Sequence, residues 1–166
     1  MISYIGAKSG GMGKWIESYI PKDIKIFSEP FSGMFNVYFS MNIKDYSNLE
    51  KVVYNDFNVL NSNIFACVRQ YDKFYEYLER QETQQRRNDG TPTDPKFREM
   101  FESYQSEIFN NLPNLDIDNP NFDYGVKYAY VLSSVFSGSK PETSSFIDLK
   151  GKYTAKFDSF RKKINF

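Results

Sequence analysis

Two short apolar runs that each end on a carboxylate constrain this chain more than any other feature. Lys25–Glu29 lies between Pro21 and Pro30, too short a span for a helix. Pro30 closes the run, because proline has no N–H to donate to a sheet ladder. The second run, Lys51–Tyr54, leads into Asn55-Asp56. Between them Gly33 supplies a tight turn and Met34–Met41 carries a helical pattern, with Phe35, Tyr38, Phe39 and Met41 inward and Asn36 and Ser40 outward. Strand, helix and strand at this spacing predict a right-handed parallel crossover, hence an α/β fold.

Open α/β sheets bind ligands beyond the carboxyl ends of their strands. Glu29 and Asp56 stand at those ends. A carboxylate after the second strand suits the two hydroxyls of a ribose, which makes Asp56 the candidate ribose acid. Glu29, Phe31 and Gly33 would border the rest of the ligand. The dinucleotide fingerprint G-x-G-x-x-G is absent, so no pyrophosphate cradle is indicated, and a nucleoside without phosphates fits better. That chemistry points to S-adenosylmethionine. Spacing alone equally allows Glu29 and Asp56 to be ordinary strand-end acids.

The N-terminal stretch offers a rival. Ser9-Gly10-Gly11-Met12-Gly13-Lys14-Trp15 resembles a phosphate-binding loop ahead of a helix that runs to about Tyr19. A P-loop needs glycine at the position of Lys8 and a hydroxyl at the position of Trp15. Both are missing, which leaves a P-loop NTPase as the weaker reading.

Further along, apolar residues recur at three and four from Asn58 to about Arg80, predicting one long helix. Gln81–Pro95 is polar and reads as a mobile loop. Helices are predicted over Phe97–Phe109 and Tyr124–Val135, with a polar loop over Asn110–Asn121 between them. Ser144–Phe157 reads as a β-hairpin turning at Lys150-Gly151.

Composition excludes several classes. The chain has no histidine, so histidine triads and histidine metal sites are ruled out, and no metal is expected. Its one cysteine, Cys67, permits no disulfide framework and suggests a reducing compartment. Lys+Arg and Asp+Glu are both 21, so bulk charge does not drive nucleic-acid binding, although a local basic face remains open. Aromatic residues make up 18% of the chain, either filling the core or serving as stacking platforms. No apolar run reaches the roughly 20 residues of a membrane span, and the first residues lack a signal-peptide pattern. The expectation is a soluble cytoplasmic protein that does not engage membranes.

Three ordered motifs carry a family resemblance. Tyr4-Ile5-Gly6-Ala7-Lys8, Glu29-Pro30-Phe31-Ser32-Gly33 and Asn55-Asp56-Phe57-Asn58 resemble, in order and spacing, the Dam-like DNA adenine-N6 methyltransferases. Tyr128–Phe157, with Phe136-Ser137-Gly138 and Gly151–Phe157, is similar to that family's target-recognition hairpin. The resemblance implies a partial Rossmann-like S-adenosylmethionine-dependent methyltransferase fold. Residues 1–70 would belong to the cofactor-binding part and residues 71–166 to a helical and hairpin target-recognition region. It places Tyr4 and Lys8 at the cofactor pocket, Glu29, Phe31 and Gly33 along the methionine-side turn, and Asp56 at the ribose. It implies double-stranded DNA as partner, contacted by Lys140, Lys150, Lys152, Lys156 and Arg161, with Lys162 and Lys163 adjoining. Arg86-Arg87 is a weaker candidate for DNA contact.

The sequence also departs from the family. Met34-Phe35 replace a small pair, and Lys156 stands where the hairpin often has proline. The catalytic Asp-Pro-Pro-Tyr motif is absent. Asn119-Pro120-Asn121-Phe122 is its nearest echo, placed before the recognition hairpin rather than after it. The chain alone is therefore expected to be inactive, and no catalytic residue is assigned. It would be a truncated or split enzyme, completed by a second polypeptide carrying that motif or by a sheet-completing homodimer. The alternative is a non-catalytic relative that binds DNA or cofactor as a regulatory or decoy module.

Overall fold

The computed structural model describes residues 8, 10–80, 95–112, 114–135 and 140–147. The chain divides into two compact units, one within residues 6–62 and the other from residue 63 onward.

In the first unit the element order is α1 (Gly11–Glu17), β1 (Ile26–Glu29), α2 (Asn36–Ser40), a 3-10 turn (Ile43–Asp45) and β2 (Lys51–Tyr54). β1 and β2 pair in parallel, with Phe27 opposite Val52 and Glu29 opposite Tyr54. Among the described residues this is the whole sheet. Phe27, Phe35, Tyr38 and Phe39 are buried together. Phe35 stacks on Tyr38 at 4.6 Å and meets Tyr54 edge-on at 5.2 Å. Such ring pairs add directionality to apolar burial. α1 packs against α2. Gly13 permits this approach, since a Cβ there would collide with the Ser40 hydroxyl and lie 2.6 Å from the Lys8 carbonyl.

The crossover helix differs from the sequence expectation. It begins at Asn36 rather than Met34, because Phe35 adopts the left-handed conformation at φ 55°. That residue turns the chain before the helix starts and changes which side chains face inward. Asn36, expected outward, is buried at 3% exposure. A non-glycine residue at positive φ is uncommon, so the pattern of apolar residues gave no sign of it.

The single helix expected over Asn58–Arg80 is two helices, α3 (Val59–Arg69) and α4 (Tyr71–Arg80). At Gln70 the N–H bonds the Cys67 carbonyl, three residues back, at 2.9 Å. This tight turn ends α3, and α4 then starts with the Phe74 N–H on the Gln70 carbonyl.

The second unit is helical. α6 (Phe122–Ser133) packs on both α5 (Pro95–Asn110) and α4. Phe74, Leu78, Phe101, Ile108, Val126 and Tyr128 are almost wholly buried there. Gly125 of α6 faces Cys67, and a Cβ added to it would lie 2.8 Å from Sγ. No helix among the described residues is long and apolar enough to cross a membrane.

Candidate cofactor site at the strand ends

Beyond the parallel pair, the two chains leaving the sheet remain bonded to each other. The Asn55 N–H donates to the Glu29 carbonyl at 3.2 Å, and the Ser32 N–H donates to the Asn55 carbonyl at 3.0 Å. Asn55 also gives its side-chain amide to the Pro30 carbonyl at 2.7 Å. The Ser32 hydroxyl turns back to the Glu29 carbonyl. The loop after β1 and the loop after β2 thus form one ledge.

Asp56 locks that ledge. Its Oδ2 accepts the Gly33 N–H at 2.7 Å, while Oδ1 accepts the Asn58 N–H at 2.8 Å and the Asn61 side-chain amide at 3.2 Å. Gly33 sits at φ 52°, a conformation that favours glycine. Tyr54 fixes the same turn by donating its hydroxyl to the Gly33 carbonyl at 2.9 Å. Asn58 caps α3 through its own side chain, which accepts the Leu60 N–H at 3.0 Å. A carboxylate offers about four acceptor positions. Three are occupied by donors among the described residues.

Glu29 has a different environment. Burial pushes its carboxyl up to about 7, against the opposing pull of the Tyr38 and Val37 backbone N–H groups. Its Oε2 is buried with no hydrogen-bond partner. Burial likewise holds the Tyr38 hydroxyl neutral, pushed up to about 12.

Two rings stand bare on the ledge. Phe31, two residues after β1, is 87% exposed, and Phe57, directly after Asp56, is 93% exposed. An exposed ring in each of two adjoining strand-end loops provides faces for a flat ligand. Sequence reading gave Phe31 a site role; it placed Phe57 and Asn58 in the Asn55–Asn58 motif without one, and gave none to Tyr54 or Asn61. The available signal was the asparagine five positions after Asp56, whose side chain reaches back to the strand-end acid from the first turn of a helix.

Glu29, Phe31, Gly33 and Asp56 therefore lie on two bonded loops. Lys8 is exposed ahead of α1. Tyr4 lies outside the described residues. So do Lys150, Lys152, Lys156, Arg161, Lys162 and Lys163, the Arg86-Arg87 pair, the Gln81–Asp94 part of the expected loop, and the hairpin beyond Ile147. Its first residues, Ser144–Ile147, are not in a strand. Lys140 is exposed, with φ 42°, and its carbonyl accepts the Thr143 and Ser144 N–H groups. Gln105 of α5 ties this turn down by donating to the Pro141 and Ser144 carbonyls at 2.6 and 2.9 Å.

Asn119–Phe122 has a structural task. The backbone N–H and carbonyl of Asn121 pair with the Asn63 side chain at 2.9 Å each. The Asn121 side chain caps α6 by accepting the Tyr124 N–H, and Phe122 stacks on Tyr77 at 5.3 Å. Among the described residues, no group of histidine, cysteine, aspartate and glutamate side chains is placed to hold a metal ion.

Comparison with protein-family models, with curated proteins and with solved structures finds no match.

Proposed function

We propose that the ledge beyond β1 and β2 binds S-adenosylmethionine and that the chain is the cofactor-binding and DNA-recognition part of an adenine-N6 DNA methyltransferase. The observation that carries this reading is the Asp56–Gly33 hydrogen bond, which joins the ends of two parallel strands beside the bare rings of Phe31 and Phe57. In this reading Asp56 accepts one ribose hydroxyl, Phe57 offers a stacking face to adenine, and the Phe31–Gly33 turn with Glu29 lies along the methionine moiety. Tyr4 and Lys8 would complete the pocket.

Transfer of the methyl group from a sulfonium to an exocyclic amine depends on holding the two in line. The adenine must also be flipped out of the duplex. The sequence has no Asp-Pro-Pro-Tyr to hold the amine. In this proposal a second polypeptide supplies that wall, or a second copy completes the sheet, and Lys140, Lys150, Lys152, Lys156 and Arg161 meet DNA phosphates. The same absence favours a second reading, a non-catalytic regulatory module that binds cofactor or DNA.

Calorimetric titration tests the site. S-adenosylmethionine should bind, Asp56→Ala should bind at least tenfold more weakly, and Mg-ATP should give no heat. Tight Mg-ATP binding, with none of S-adenosylmethionine, would replace this reading by the NTPase one. Methylation of adenine by the chain alone would refute its dependence on a partner.

A further inference from the structure

Among the described residues, four buried side-chain oxygens lack a hydrogen-bond partner: those of Glu29, Asn36, Ser133 and Ser134. Only the one on Glu29 belongs to an ionisable group. It sits where β1 ends, two residues before the Phe31–Gly33 turn that Asp56 secures.

Among the causes that move the Glu29 carboxyl, burial comes first and the others are backbone N–H groups. α2 contributes the backbone N–H groups of Tyr38 and Val37. β2 pairs Tyr54 with Glu29, and the Tyr54 hydroxyl is committed to Gly33. No charged side chain contributes to the upward push on Glu29, which comes from burial. A buried carboxyl without a cation retains its proton, whereas a cation brought beside it releases that proton.

We infer that Glu29 exchanges its proton for the ammonium group of an amino-acid-bearing ligand. This inference rests on the cofactor reading above and adds a regulation to it. In the empty site, below about pH 7, Glu29 carries a proton. When the ligand's α-ammonium arrives, its N–H groups meet the unpartnered Oε2, the carboxyl ionises and its proton passes to the solvent. No bond to carbon is made or broken. Occupancy of the site thereby depends on pH just below neutrality, and a nucleoside without the amino-acid arm escapes this dependence.

The test is isothermal titration in pairs of buffers that differ in ionisation enthalpy, between pH 5.5 and 6.5, where the ligand's own amino group stays protonated. At pH 6, S-adenosylmethionine and S-adenosylhomocysteine should each release about 0.9 proton per site, and affinity should rise about eightfold from pH 5.5 to 6.5. Adenosine should release none. Glu29→Gln should bind S-adenosylmethionine with no proton release. Binding of S-adenosylmethionine to the unaltered protein without proton release overturns the exchange and leaves the cofactor site standing. Equal release with adenosine, or undiminished release in Glu29→Gln, also overturns it. Absence of any binding across this range removes the cofactor reading itself, and the exchange with it.

Discussion

The carboxylate of Asp56 holds the backbone N–H of Gly33 at 2.7 Å across 23 residues of sequence. One side chain thereby joins the turn after β1 to the turn after β2, and its second oxygen grips the start of α3. Asp56 consequently acts on the fold.

Asp56→Ala removes three acceptor contacts and leaves the N–H groups of Gly33 and Asn58 seeking other partners. The expected loss is about 2–3 kcal/mol of stability, read as a lower urea midpoint. Asn61→Leu should act more mildly, since Asn61 gives only one of the three bonds. Asn61 is itself buried, so its replacement should loosen the carboxylate and weaken ligand binding. Unchanged urea midpoints in both variants would refute the structural role of this knot.

Phe31 and Phe57 should separate binding from stability. Both rings are almost fully exposed, so alanine at either position should shift stability by no more than about 0.5 kcal/mol. If Phe57 stacks on adenine, Phe57→Ala should cost about 1–3 kcal/mol of binding, the range seen for base–aromatic contacts. Calorimetry together with a melting curve measures the two effects side by side. A large loss of stability with unaltered affinity would place the ring in packing instead.

Glu29 gives stability a pH dependence of definite sign. Its folded carboxyl, raised from the ordinary 4.5 to about 7, binds a proton more tightly than in the unfolded chain. Its contribution is fully present below pH 4.5 and declines as pH rises through about 7. Glu29→Gln should therefore raise the melting temperature at pH 8 relative to the parent, with the advantage shrinking toward pH 5. A difference that stays flat from pH 5 to 8 would show that Glu29 titrates normally.

Gly125 and Cys67 form a coupled pair. A methyl at position 125 would come 2.8 Å from Sγ and 3.3 Å from the Phe74 ring. Gly125→Ala is expected to destabilise by about 1–3 kcal/mol through overpacking. Adding Cys67→Ala removes the nearer obstacle and should recover part of that loss. Strict additivity in the double-mutant cycle would mean that the two positions do not touch.

Much of the first unit was legible because its signals are local. The β-branched pair Val52-Val53 and its bounding residues marked β2 at the observed limits, Lys51–Tyr54. Pro21 and Pro30 likewise confined β1. The break at Gln70 was hidden because Val68, Tyr71 and Phe74 keep a helical spacing across it. Periodicity records which residues are apolar, and a backbone that tightens for one turn and resumes leaves that record intact. Phe35 was missed for a related reason: apolar residues fit a helix pattern whether or not one of them carries positive φ. At the site, Glu29, Gly33 and Asp56 could be located by strand ends, yet the share of Asp56 already spent on N–H groups could not. Phe57 stood in the Asn55–Asn58 motif, but nothing in the sequence signalled that its ring is 93% exposed.

The thiol of Cys67 lies beneath Gly125 and is pushed up to about 12 by burial. It is also the one sulfhydryl in the sequence. Reagents that attack thiolates meet almost none of it in the closed protein. Labelling must wait for the packing around α6 to part, so the rate of modification counts openings of the helical unit. The chain thus contains a built-in clock for its own breathing, needing neither an added probe nor a change of sequence to be read.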